Sequence, residues 1–178
     1  DTQGRIMPRG APGELCTRGY SVMLGYWDDE ARTHEAIDAA RWMHTGDLAT
    51  MDADGYLNIV GRIKDMIIRG GENIYPREVE EFLYSHPDVS DVQVIGVPSE
   101  WYGEEVMAWI KPREGASLTD EALVEYCRGK IATYKIPRYW KFVDGYPMTV
   151  TGKIQKFKMR ETAVAELGVE LAAAVATA

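Results

Sequence analysis

The sequence predicts an α+β fold, and three observations carry that prediction. The first third is rich in turn residues and poor in large apolar ones. Two apolar, β-branched runs follow, Val92–Val97 and Glu105–Lys111, and segments with helical spacing of apolar residues surround them. The expected architecture is a compact domain with a small, mostly antiparallel sheet flanked by helices. A strand-rich remnant of a larger domain precedes it.

Residues 14–17 and 22–24 read as short strands bounded by Gly13, Gly19 and Gly25. Asp28 or Asp29 can cap a helix running to about Ala39, with acidic residues at its start where the helix dipole favours them. Residues 48–51 and 56–60 flank Asp54-Gly55, a strong hairpin signal. Few large apolar side chains are available here for an independent core, so residues 1–61 are expected to be the end of a bigger domain. The opening Asp-Thr-Gln-Gly-Arg has neither an initiator Met nor a signal-peptide pattern, and it reads as the middle of a longer chain.

From Arg62 the pattern is self-sufficient, with residues 62–65 as the linker into it. Met66–Ile68 reads as a strand, Gly70-Gly71 as a turn needing unusual backbone angles, and Asn73–Tyr75 as the return strand. Pro76 suits the first turn of a helix that buries Val79, Phe82 and Leu83 and stops before His86-Pro87. After the two long apolar strands, Thr119 caps a helix whose Leu123, Val124, Cys127 and Ile131 form one stripe. Residues 139–143 form a further strand and 155–167 a final helix. The second domain thus spans 62–168, and 169–178 is an expected frayed tail.

Composition limits the function. Of the 178 residues, 46% are hydrophobic and 27% charged, as in a globular chain. The net charge of −8 argues against general nucleic-acid binding. No apolar run approaches the roughly 20 residues of a membrane span. Cys16 and Cys127 lie far apart without a CxxC pattern, which fits reduced thiols in a cytoplasmic compartment. His34, His44 and His86 show no metal-ligand spacing, so no metal ligand is expected in this chain. Between Arg128 and Arg160, nine basic residues face the single acidic Asp144. That stripe suggests an anionic small ligand such as a phosphate ester, or else a solvated face balanced by Glu78–Glu81.

Four segments carry candidate chemistry. Arg69-Gly70-Gly71-Glu72 has the build of a loop whose backbone approaches a ligand, and equally that of a surface hairpin. In Trp42-Met43-His44-Thr45-Gly46-Asp47, Asp47 precedes a strand, where a carboxylate can accept two hydrogen bonds from a ribose diol; a capping aspartate is the plainer reading. Tyr134-Lys135-Ile136-Pro137 is a helix-ending turn of little specificity. In Thr149-Val150-Thr151-Gly152-Lys153, the loop presents Lys153, whose ammonium could bridge two anionic oxygens or simply meet solvent. The single glycine before Lys153 excludes a phosphate-cradling P-loop.

In this order and spacing, the segments resemble the AMP-forming acyl-CoA synthetases, members of the adenylate-forming superfamily with luciferases and nonribosomal adenylation domains. The resemblance covers nearly the whole chain. Residues 13–61 look like the end of the large N-terminal adenylation domain and 62–168 like the mobile C-terminal domain. Arg69–Pro76 and Gly152–Lys158 are most like medium- or long-chain fatty-acyl-CoA ligases. The resemblance implies two half-reactions. ATP and a carboxylic acid give acyl-AMP and pyrophosphate, and coenzyme A then displaces AMP to form the thioester.

Carried over residue by residue, the resemblance makes Asp47 and Arg62 the ATP/AMP-binding residues and Asp65 the hinge. Lys153 becomes the catalytic residue of adenylation, and Gly70 and Gly71 let the pantetheine of coenzyme A pass. The family's Ser/Thr/Gly-rich phosphate loop with Pro-Lys-Gly, and its Tyr-Gly-x-Thr-Glu segment, are not in this sequence. The Mg2+ site and acyl pocket are therefore expected outside it, and the chain alone is expected to be inactive. Two alternatives stand: a non-catalytic module that holds a carrier or partner, and a nonribosomal-type adenylation domain.

Overall fold

Residues 1–168 are described by the structure, a computed structural model; the tail expected at 169–178 lies outside them. Asp1–Lys64 and Asp65–Ala178 are two compact units, each considered by itself. The class is α+β with antiparallel sheets in both units, and the only parallel pairing among the described residues is one strand pair in the second.

In the first unit, β1 (Gly13–Thr17), β2 (Met43–Met51) and β3 (Leu57–Arg62) form an antiparallel sheet in that order. The β2–β3 turn is held by Asp52, whose Oδ1 accepts from the amides of Asp54 and Tyr56, both at 2.9 Å. Gly55 supplies the positive φ of +92° that the turn requires. Helix α1 (Glu30–Ala36) is capped by Asp29, which accepts from the Arg32 amide at 3.0 Å. It stops short of Ala39 because Ile37 turns to extended backbone and bridges to Met43.

Two expectations fail in this unit. Residues 22–24 form no strand: Leu24 is almost wholly exposed, as are its neighbours Tyr20 and Trp27, and among the described residues no strand lies alongside to take the backbone hydrogen bonds. Strand β2 begins five residues before the expected Leu48, because β1 pairs along it from Met43. Asp47 therefore sits within a strand rather than ahead of one.

The second unit is built on a long hairpin of β6 (Val89–Ser99) and β7 (Gly103–Pro112). Strand β4 (Ile67–Arg69) and the parallel β8 (Tyr139–Phe142) pair with β7, and β5 (Glu72–Ile74) pairs with β4. Residues along β6 and β7 alternate between two cores. Val92, Val94, Val106, Ala108 and Ile110 pack with Val79 and Leu83 of α2 (Pro76–Tyr84) and with Leu123 and Cys127 of α3 (Asp120–Cys127). Ile95, Val97, Met107 and Trp109 pack with Met159 and Ala163 of α4 (Lys156–Leu167). With both faces covered, the strands read as continuous apolar runs rather than alternating ones.

Helix α3 is shorter than its apolar stripe suggested. It ends at Cys127, since Arg128 is non-helical and Gly129 takes φ +71°, and Ile131 packs on the core from the following loop. Burial pushes the Cys127 thiol up to about 11, so it fills the core as a protonated side chain.

Strand β6 lies at the edge of its sheet, and side chains close that edge at one point. The Val94 amide donates to Glu80 Oε1 at 2.8 Å, while Lys156 Nζ donates to the Val94 carbonyl at 3.0 Å and to Glu80 at 2.5 Å. An edge strand blunted in this way is a poor template for another chain.

Leu83 is fully buried between α2 and the sheet. Leu83→Ala is expected to destabilise the second unit by about 2–5 kcal/mol. Hydrogen exchange of the β6 and β7 amides, which reads this unit alone, checks the value.

Candidate functional site

The first unit brings two candidate residues together. Asp47 on β2 and Arg62 at the end of β3 are paired across the strands, and Arg62 Nε meets Asp47 Oδ1 at 3.0 Å. The strand register places them side by side, and the Thr45 side chain holds the Asp47 backbone. The Asp47 amide donates to Thr45 Oγ1 at 3.1 Å, and that hydroxyl donates to the Leu15 carbonyl at 2.8 Å. Arg62 is half-exposed, so the pair is open to a ligand. The carboxylate can accept further hydrogen bonds while the guanidinium keeps donors free for an anionic oxygen. A 3-10 turn, Ile63–Asp65, follows directly, and the boundary between the two units falls after Lys64.

In the second unit, Gly70 and Gly71 form the two-residue loop between β4 and β5. Their φ values are +58° and +89°, as a tight hairpin of this kind demands at both central positions. The loop is bolted to the tip of the β6–β7 hairpin. The Gly70 amide donates to the Tyr102 carbonyl at 2.9 Å, and the Ile68 amide to Glu104 at 2.9 Å.

Arg69 donates two bonds to Glu105, Nε at 2.7 Å and Nη2 at 2.9 Å, and stacks over the Tyr102 ring at 4.1 Å. Glu105 is 2% exposed, and its hydrogen bonds raise the Arg69 guanidinium above its ordinary range. A Cβ on Gly70 would lie 3.1 Å from the Tyr102 ring, so space as well as backbone angle favours glycine there.

Lys153 is exposed at the end of a separate loop in the same unit. Thr149 organises that loop. Its amide donates to the Lys153 carbonyl at 2.8 Å, and its hydroxyl accepts from the Lys153 amide at 3.0 Å. Gly152 takes φ +80°, and a Met148–Ile154 bridge closes the base. The backbone around Lys153 is thus fixed while its ammonium extends outward.

The basic stripe is largely neutralised. Arg128, Lys135, Lys141, Lys156 and Arg160 pair with Glu125, Glu78, Glu166, Glu80 and Glu104 at 2.5–2.8 Å. Lys130, Arg138, Lys153 and Lys158 are the stripe residues without an ion pair among the described residues. The balanced-face reading therefore accounts for most of the stripe, with Glu78 and Glu80 of α2 supplying part of the balance. An anionic ligand has fewer cations to meet than the sequence suggested.

Residues 78–153 match the family model described as AMP-binding enzyme C-terminal domain. Over those residues the chain is similar to that domain. Over 156 residues it is 62% identical to YngI of Bacillus subtilis (strain 168), provisionally named an acyl-CoA synthetase, covering 88% of this chain and 28% of that protein. Over 167 residues it is 56% identical to the mitochondrial medium-chain acyl-CoA ligase ACSF2 of Danio rerio, covering 94% of this chain and 28% of that one. The chain therefore spans about a quarter of the length of these relatives. Among solved structures, ATP-bound MatB from Rhodopseudomonas palustris superposes with a TM-score of 0.83 at 36% identity, covering 88% of this chain and 31% of that one.

Sequence reasoning missed the anchors of the glycine loop. Tyr102, Glu104 and Glu105 lie more than 30 residues from the loop they hold, and only the fold brings them to it. One signal was available: two acidic residues opening an otherwise apolar strand at Gly103-Glu104-Glu105-Val106.

Arg69→Met would leave the Glu105 carboxylate buried without a partner. The expected loss is about 3–5 kcal/mol, with Arg69→Lys falling between the variant and the parent because it loses the bidentate fork. Urea unfolding followed by hydrogen exchange of β4 and β7 amides measures both.

Proposed function

We propose that this chain is part of an AMP-forming acyl-CoA synthetase acting on fatty acids of medium chain length. The single observation that carries the reading is the Asp47–Arg62 pair, open to a ligand and set just before the boundary between two compact units. The relatives support the chemistry. The ACSF2 proteins are named medium-chain acyl-CoA ligases, one solved relative holds ATP, and a Bacillus subtilis o-succinylbenzoate CoA synthetase holds its acyl-adenylate.

In the proposed reaction, a fatty-acid carboxylate attacks the α-phosphate of ATP and pyrophosphate leaves. The coenzyme A thiol then attacks the acyl carbonyl and AMP leaves. Asp47 accepts hydrogen bonds from the ribose diol, and Arg62 orients it and meets the ribose or phosphate. Lys153 bridges the carboxylate and the α-phosphate, where an ammonium offsets like-charge repulsion as the bond forms. Gly70 and Gly71 present a surface without side chains along which pantetheine can lie. The pivot between the half-reactions is the turn Ile63–Asp65, with Asp65 as the hinge residue opening the second unit.

Mg2+ prefers a shell of oxygen ligands. The grouping of three metal-ligating residues among the described residues, Glu14 with Cys16 and His44, includes a thiol and an imidazole and does not fit it. Mg2+ is therefore proposed to bind outside these residues, and no step is assigned to it here. A cytoplasmic location is proposed on the two unpaired thiols. No helix among the described residues is long and apolar enough to cross a membrane.

A chimera with this chain in place of the matching segment of Danio rerio ACSF2 tests the Lys153 role. Lys153→Ala is expected to lower ATP–pyrophosphate exchange at least 100-fold while sparing thioester formation from supplied acyl-adenylate. Unchanged exchange would refute the assignment.

Proline at Lys64 or Asp65 in the same chimera tests the pivot. It should trap one half-reaction, leaving exchange or thioester formation intact but uncoupling the overall reaction. Full overall turnover in both proline variants would remove the pivot from this turn.

A further inference from the structure

We propose that Glu14, Cys16 and His44 form a binding site for a borderline-soft divalent cation, with Zn2+ the best fit, on the first unit's sheet. This site uses none of the residues of the Asp47–Arg62 pair and does not rest on the proposed ligase activity.

The strand register builds the grouping. Glu14 pairs with Leu48 but Cys16 pairs with His44, so two positions along β1 span four along β2. The extra residues fall within Thr45–Asp47, where Gly46 takes φ +72°. A bulge of this kind re-aims side chains, and here it brings His44 opposite Cys16. Linear spacing hid the site, since Cys16 and His44 are 28 residues apart.

One imidazole nitrogen faces both other ligands. His44 Nδ1 lies 3.6 Å from Cys16 Sγ and 2.7 Å from Glu14 Oε2. Zn–S bonds of about 2.3 Å and Zn–N bonds of about 2.0 Å at a tetrahedral angle separate sulfur from nitrogen by about 3.5 Å. The Cys16–His44 distance already meets that requirement. The Glu14 contact is a hydrogen bond, and it opens by about 0.6 Å when a metal replaces the shared proton. The Cys16 thiol then releases its proton, and the imidazole proton shifts from Nδ1 to Nε2.

Asp38 stands ready for that shift. Its Oδ2 lies 4.0 Å from His44 Nε2, and its Oδ1 is fixed by the Trp42 amide at 2.8 Å. A carboxylate behind the second imidazole nitrogen is the usual means of orienting a metal-bound histidine. Glu14 Oε1 is likewise held by the Gly46 amide at 3.3 Å. Thiolate with imidazole selects Zn2+ over Mg2+ or Ca2+. Glu14 and His44 are partly exposed, leaving room for water as a fourth ligand.

The test uses the reduced 178-residue chain titrated with Zn2+ alone and with Co2+ alone. One ion per chain should bind, and Co2+ should give a near-ultraviolet thiolate-to-metal charge-transfer band. Cys16→Ser should abolish the band, and His44→Gln should weaken binding at least tenfold. Glu14→Gln, a conservative change, should keep the band and weaken binding. Cys127→Ala should change neither, and circular dichroism shows whether each variant folds. No band in the parent chain, or a band that persists in folded Cys16→Ser, would overturn the proposal.

Discussion

The ion pair of Arg69 with Glu105 ties together the parts of the second unit that the proposed chemistry needs. Glu105 sits at the start of β7, the strand that pairs with β4, β6 and β8, so its position is set by the best-packed part of the sheet. A carboxylate enclosed there requires a hydrogen-bonded partner, and Arg69 meets that need with a bidentate fork. Because Arg69 directly precedes the two glycines, the same bond fixes where their loop stands. The loop's precision thus derives from the core rather than from its own three-residue strands, which are too short to hold a position alone.

Local signals made much of the fold legible. The turn at Asp54-Gly55, the double glycine, Pro76 opening α2 and Thr119 capping α3 each depend on residues within four positions of one another. The buried runs in β6 and β7 were legible because strands covered on both faces need no polar alternation. What failed depended on distant partners. Val22–Leu24 has strand composition but no neighbouring strand among the described residues, and Asp47 lies inside β2 because β1, distant in sequence, pairs with β2 on either side of it.

The candidate site divides along the same line. Asp47, Arg62, Gly70, Gly71 and Lys153 could be nominated from short motifs, yet the Asp47–Arg62 pairing is a product of strand register. Charge was the least legible property. A run of nine basic residues looked like one electrostatic feature, but five of its members lie against glutamates, four of them from more than 20 residues away. Proximity in sequence said little about the field those residues produce.

The turn Ile63–Asp65 also sorts the candidate residues into two groups. Asp47 and Arg62 belong to the sheet before it, while Gly70, Gly71 and Lys153 belong to the body after it. In the proposed reaction, a rotation there would exchange the lysine for the glycine loop without breaking the aspartate–arginine grip. A bound nucleotide could therefore stay in place as the tools around it change. An intermediate that is never handed over has less opportunity to escape or hydrolyse, so the order of residues along the chain would itself protect the activated acid.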